Sequence, residues 1–176
     1  STSQAFNSAQ AFLADSHMPP APPANDNLAD RIYFEQLPYT HTVDTTYATD
    51  EADEAVPACG GAPEKGVWYE YSPFTDETVT FSTSASAVDT VLSVWMGTPL
   101  HPISMEMGCS TDKNTPIVLD LEQDMQYYIK VSSRGGTGGM VTLDVTRGGV
   151  VVSPTAPPSA TTPPATVEPT TPVPTT

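Results

Sequence analysis

Short runs of alternating apolar and polar residues fill the middle of the chain. Val79 and Phe81 alternate with Thr78, Thr80 and Ser82. Tyr127, Ile129 and Val131 alternate with Tyr128, Lys130 and Ser132, and Val141, Leu143 and Val145 with Thr142, Asp144 and Thr146. A period of two is the pattern of a strand that buries one face and wets the other. Enrichment in β-branched and aromatic residues predicts strands at 32–34, 67–72, 77–83, 90–96, 116–121, 126–132 and 140–146. Arg134-Gly135-Gly136-Thr137-Gly138-Gly139 reads as a hairpin-type loop joining the last two. No long helical pattern interrupts the series. The expected fold is all-β, an antiparallel β-sandwich of jelly-roll or immunoglobulin-like type. About 120 residues is enough to bury roughly 65% of the unfolded surface.

The flanks follow different patterns, which divides the chain into a leader (1–24), the sandwich (25–149) and a tail (150–176). In the leader, Ala5, Phe6, Ala9, Phe12 and Leu13 form one helical stripe, and Ser3 is placed to cap its start. Met18-Pro19-Pro20-Ala21-Pro22-Pro23 then favours an extended polyproline strip. So short a helix is marginal alone, so Phe6, Phe12 and Leu13 need a surface, on this domain or on a neighbouring copy. The other reading is a disordered leader. The tail is rich in Pro and Thr, Glu168 is its single charge, and it has no apolar period. That is the composition of an O-glycosylated stalk or linker, with Thr155, Thr161, Thr162, Thr166, Thr170, Thr171 and Thr175 as candidate acceptors. The chain has no N-linked sequon, so any sugar would be O-linked. Val150, Val151 and Val152 are apolar enough to add a strand to a sheet edge.

Charge narrows the function classes. With 21 acidic and 6 basic residues the net charge is −15, which excludes nucleic-acid and anionic-membrane partners. No apolar run approaches the ~20 residues of a bilayer span, so no membrane insertion is expected. The sequence starts at Ser1, which reads as a processed terminus. With that start and such a tail, Cys59 and Cys109 are expected to form a disulfide in an extracellular or cell-surface protein, the alternative being two buried thiols.

Candidate chemistry is sparse. His17, His41 and His101 fit no metalloprotease or deaminase pattern, and no nucleophile elbow or phosphate-binding glycine loop is present. Ser110-Thr111-Asp112-Lys113 matches S-x-x-K without its companion motifs. No catalytic residue and no enzyme activity are expected. Asp44, Asp50, Glu51, Asp53 and Glu54 cluster before Cys59, and Asp26 and Asp30 sit among Asn25 and Asn27. Calcium is the one cofactor such oxygen donors would take, with Asp26, Asp30, Asp50 and Asp53 as candidate ligands. The plainer readings are a solvated acidic loop and an Asx-turn at the domain entrance. Trp68, Tyr69, Tyr71, Trp95, Tyr127 and Tyr128 raise a further choice, between a sugar-stacking platform and core or loop-covered packing.

The middle zone resembles the bacterial pre-peptidase C-terminal domain family. The segments that carry the resemblance are NDNLADRIYF (25–34), LPYTHTVDTTYAT (37–49), Cys59-Gly60-Gly61 before VWYEYSP (67–73), ETVTFST (77–83), VDTVLSVWMG (88–97), Cys109, QYYIKVSS (126–133) and GGTGGMVTLDV (135–145). The resemblance implies a secreted, non-catalytic β-sandwich appended to exported proteins. It also implies an acidic stretch after the second cysteine. Here that place holds Ser110 to Asn114, where Lys113 weakens any cation site.

The functional expectation is a non-catalytic secreted or cell-surface subunit that self-assembles into an extracellular filament. Its partners would be copies of itself and O-linked glycans, and its anchors Phe6, Phe12, Leu13, Val150, Val151 and Val152. The alternative is a carbohydrate- or protein-binding accessory module of a secreted enzyme or adhesin.

Overall fold

A computed structural model describes residues 20–52, 54–60, 65–98 and 100–149. A 3-10 turn (Leu28–Asp30) precedes strands β1 (Ile32–Phe34), β2 (Tyr39–Asp44), β3 (Gly66–Tyr71), β4 (Glu77–Ser82), β5 (Thr90–Thr98), β6 (His101–Ser110), β7 (Ile117–Leu121), β8 (Gln126–Ser133) and β9 (Met140–Arg147). They form a five-stranded sheet, β1-β3-β8-β5-β6, and a four-stranded sheet, β2-β9-β4-β7. Every pairing is antiparallel except β1 with β3. The fold is a β-sandwich.

Alternation explains the core. Val79 and Phe81 of β4, Val141, Leu143 and Val145 of β9, and Tyr69, Tyr71, Tyr127, Ile129 and Val131 from the opposite sheet meet between the layers. Burying one such aliphatic or phenyl side chain is worth about 1.5–3 kcal/mol. Thr78 and Thr80, between the inward residues of β4, stay half-exposed, as the period requires.

Three expectations need correction. First, β2 and β6 were not among the predicted strands. β2 alternates Thr40, Thr42 and Asp44 outward against Tyr39, His41 and Val43, and is only half-buried. β6 carries Pro102 and Gly108, which weigh against a strand, yet it forms because β5 offers it a long partner, with register shifts along the pairing. Second, the glycine-rich segment is no hairpin. β8 and β9 belong to different sheets, so residues 134–139 carry the chain between layers. Gly138, at φ +73°, fits there because a side chain would meet the Thr46 backbone at 2.5 Å. Third, one wet face per strand fails for β3, β8 and β5, which are buried on both faces because a loop covers the outer side of their sheet.

The side of the sandwich where β1 meets β2 is sealed by rings. Phe34 stacks on Tyr39 and Tyr71, with centroids 4.0 and 5.1 Å apart. His41 Nδ1 lies 3.0 Å from the Tyr69 hydroxyl. Burial raises the Tyr69 pKa well above its ordinary value, keeping the phenol protonated and able to donate, and burial lowers that of His41. A neutral His41 is therefore the form the fold favours. Because its folded pKa lies below its unfolded one, its contribution is present above the ordinary imidazole pKa and is lost as pH falls through the folded value. Chemical denaturation between pH 7 and 5 should show stability decreasing, with a shallower slope in His41→Gln.

The chain enters and leaves at opposite layers. Asn25 brackets Trp68 of β3, its carbonyl accepting the Trp68 N–H at 2.9 Å and its Nδ2 donating to the Trp68 carbonyl at 3.1 Å. At the other end, Gly148 N–H donates to Thr78 O and Thr80 Oγ1 donates to Gly148 O. Gly149, at φ +130°, then lies against Thr80 and Val118, over the outer face of β4 and β7. Short connections place β1 beside β2 and β6 beside β7. Entry and exit are thus on different sheets. The leader stripe, Val150 to Val152 and the candidate glycosylation threonines lie outside the described residues, or in the case of the leader before Pro20.

Candidate functional site beneath the Cys59 loop

On the outer face of the five-stranded sheet, register brings six side chains side by side. Trp68 of β3 stands opposite Lys130 of β8, and Glu70 opposite Tyr128. Ser93 and Trp95 of β5 continue the same rows. This face would be wet in an uncovered sheet, yet Trp68, Tyr128 and Lys130 are fully or almost fully buried. The cover is the segment between β2 and β3, which supplies Ala55, together with Leu28 and Ile103.

That segment is pinned at its start, middle and end. Near the start, Thr49 donates its N–H to Asp26 Oδ1 at 2.8 Å and its hydroxyl to Asp26 Oδ2 at 2.5 Å. In the middle, Glu54 Oε1 accepts the Trp68 indole N–H at 2.9 Å and lies 3.0 Å from Lys130 Nζ. Lys130 also sits over the Trp68 ring, 5.6 Å from its centroid. At the end, Ala58 N–H donates to Glu106 Oε2 at 2.9 Å, and Cys59 is bonded to Cys109 of β6 with Cα atoms 5.8 Å apart. The expected disulfide is present, and no free cysteine remains.

Beside the loop a pocket of about 510 Å³ opens between the 3-10 turn and β6. Leu28, Ala52, Ala55 and Ile103 line it, with Arg31 and Glu51 at its walls and the buried Trp68 behind them. Its charges are committed. Arg31 Nε binds Glu70 Oε2 at 2.5 Å, and its guanidinium lies 5.2 Å from the centre of the Tyr128 ring. Glu51 Oε2 accepts the Leu28 N–H at 2.9 Å.

Among the described residues, the candidate calcium ligands Asp26, Asp30 and Asp50 form no three-carboxylate group. Asp26 is buried and spent on Thr49, Asp30 accepts from Asn27 Nδ2, Asp50 is exposed, and Asp53 lies outside the described residues. Among the described residues, no group of three or more His, Cys, Asp or Glu side chains is placed to hold a metal. From the acidic cluster, Asp44 caps Thr46, whose hydrogen bonds hold its carboxyl below the usual range, while Glu51 and Glu54 anchor the cover. The S-x-x-K match is no catalytic pair: Ser110 Oγ donates to Asp112 O, and Lys113 Nζ donates away, to Ser86 O. The rings of Trp68, Trp95 and Tyr128 are packed under the loop, with 0, 9 and 0% exposure, so they offer no sugar platform. Sequence reasoning missed the Glu54–Lys130 pair. Its signal was Lys130 in register with the outward Tyr128, a cation inside an otherwise strand-forming apolar run.

Among the described residues no helix is long and apolar enough to cross a membrane. No family model and no curated protein matches the chain. Solved structures similar to it include the pre-peptidase C-terminal domain of a collagenase from Bacillus anthracis, at 9% identity and TM-score 0.42, covering 66% of this chain and 94% of that one. Another is Aeromonas hydrophila PliG, a periplasmic inhibitor of g-type lysozyme, at 13% identity and TM-score 0.41, covering 66% and 96%. The sandwich architecture rests on the strand pairings of this chain itself.

Proposed function

We propose that the chain is a non-catalytic, exported structural subunit that assembles with copies of itself into an extracellular filament through its terminal arms. The observation that carries this reading is the separation of entry and exit: Asn25 is fixed to the five-stranded sheet, and Gly148 and Gly149 to the outer side of the four-stranded one. Arms leaving from opposite layers reach different neighbours. Such head-to-tail contact is heterologous and grows open chains unless a ring closes. The disulfide favours an oxidising compartment. Among the described residues of the covered face, Glu54 is committed to Trp68 and Lys130, and Glu70 to Arg31, while Glu106 uses one carboxylate oxygen to accept the Ala58 N–H.

Removing residues 1–24 should leave a folded, soluble sandwich and abolish polymers, because Asn25 and its bonds to Trp68 are retained. Negative-stain micrographs showing unchanged filaments would defeat the reading. The pocket favours a second reading, a protein-binding accessory module. A monomeric species with saturable affinity for a protein partner would select it.

A further inference from the structure

We infer that the pocket beside the Cys59 loop is the acceptor for the apolar stripe of the leader, Phe6 to Leu13, of a neighbouring copy. The inference rests on the assembly reading and names its contact. At about 510 Å³ the pocket is of a size that holds a ligand, a range of roughly 300–1,000 Å³. Much of its lining is aliphatic, from Leu28, Ala29, Ala52, Ala55 and Ile103, with Arg31, Glu51 and Glu54 at its walls. The charged groups around it already have partners: Arg31 has Glu70, Glu54 has Lys130 and Trp68, and Glu51 has the Leu28 N–H. A charged occupant would find no free counter-charge, and its desolvation would go uncompensated. An uncharged apolar segment suffers no such loss. Residues 1–14 contain no Asp, Glu, Lys or Arg, and they carry Phe6, Phe12 and Leu13.

The point of entry favours a second copy over the chain's own leader. Nineteen residues precede Pro20, where the described chain begins. Pro20, Ala21 and Pro22 are exposed, and a turn closed by Asp26 N–H on Pro23 O sets this strip off from the sheet. A proline-rich strip is stiff and extends about 3.1 Å per residue, which opposes a tight return of the leader onto the pocket beside its own entry. One copy's leader then reaches the pocket of the next.

The test uses the full-length chain with a benzoylphenylalanine photo-cross-linker in place of Phe12, prepared as an equal mixture of isotopically heavy and light copies. Irradiation and mass spectrometry should give heavy–light adducts on peptides containing Leu28, Ala52, Ala55 or Ile103. Adducts confined within single copies, or mapping to other surfaces, overturn the inference. Ala52→Trp supplies an independent check, because Ala52 is exposed and can fill the pocket mouth without disturbing the core. Loss of those adducts and of polymers is expected. Normal polymers from Ala52→Trp, alongside none from the chain lacking residues 1–24, would remove the pocket as acceptor and leave the assembly reading standing. Polymers that survive loss of the leader would instead overturn the assembly reading itself.

Discussion

Replacing Glu54 with Ala should lower the stability of the sandwich by about 3–5 kcal/mol, the cost of leaving one partner of a buried ion pair alone. Both side chains of the pair are 2% exposed, so neither charge can turn to water when its partner is lost. The substitution also removes the acceptor of the Trp68 indole N–H, which leaves a second buried polar group without a partner. The loop that covers Trp68, Trp95 and Tyr128 loses its central fixing point at the same time. Lys130→Met alone should cost less than Glu54→Ala, because the Trp68–Glu54 hydrogen bond survives and the methionine retains much of the packing. The double variant Glu54→Leu with Lys130→Met should recover much of the loss, since apolar replacement of a buried pair is often neutral or stabilising. Urea midpoints of the three variants measure this directly. Equal midpoints for Glu54→Ala and the parent would show that the pair does not hold the cover.

The second large effect is that of the disulfide. Cys59 and Cys109 are separated by 50 positions, and closing such a loop restricts the unfolded chain enough to stabilise the fold by about 4 kcal/mol. Here the bond also fixes the end of the covering segment to β6, next to the Ala58–Glu106 hydrogen bond. Cys59→Ser with Cys109→Ser should therefore lower the denaturation midpoint and also speed local opening. Hydrogen exchange should rise at Trp68 and Lys130, beneath the cover, more than at Val79 or Phe81 in the central core. A uniform rise across both regions would contradict the pinning role assigned to the bond.

The sandwich was legible because its core strands obey simple alternation. Val79 and Phe81, or Val141, Leu143 and Val145, have only one way to bury their side chains together. β2 was harder to see because half of it is threonine and aspartate, and β6 because Pro102 and Gly108 interrupt it. Pairing with β9 and β5 decides both, and pairing is a property of the whole sheet. The buried outer face was legible only as a choice, between a sugar-stacking platform and core or loop-covered packing of Trp68, Trp95 and Tyr128. Alternation reports two faces but cannot say that a distant loop will cover the second. Glu54 looked like one acid among several, and only the approach of its loop to Lys130 and Trp68 separates it from its neighbours. The Cys59–Cys109 bond, by contrast, was expected from two cysteines in a chain with a processed start and a Pro/Thr tail, against the alternative of two buried thiols, and it is present.

Sedimentation velocity of the full-length chain over a range of concentrations tests most directly whether the arms join one sandwich to the next. The account predicts a mass distribution that shifts to larger species as concentration rises, without a closed limiting size. A single monomeric boundary at every concentration would contradict it.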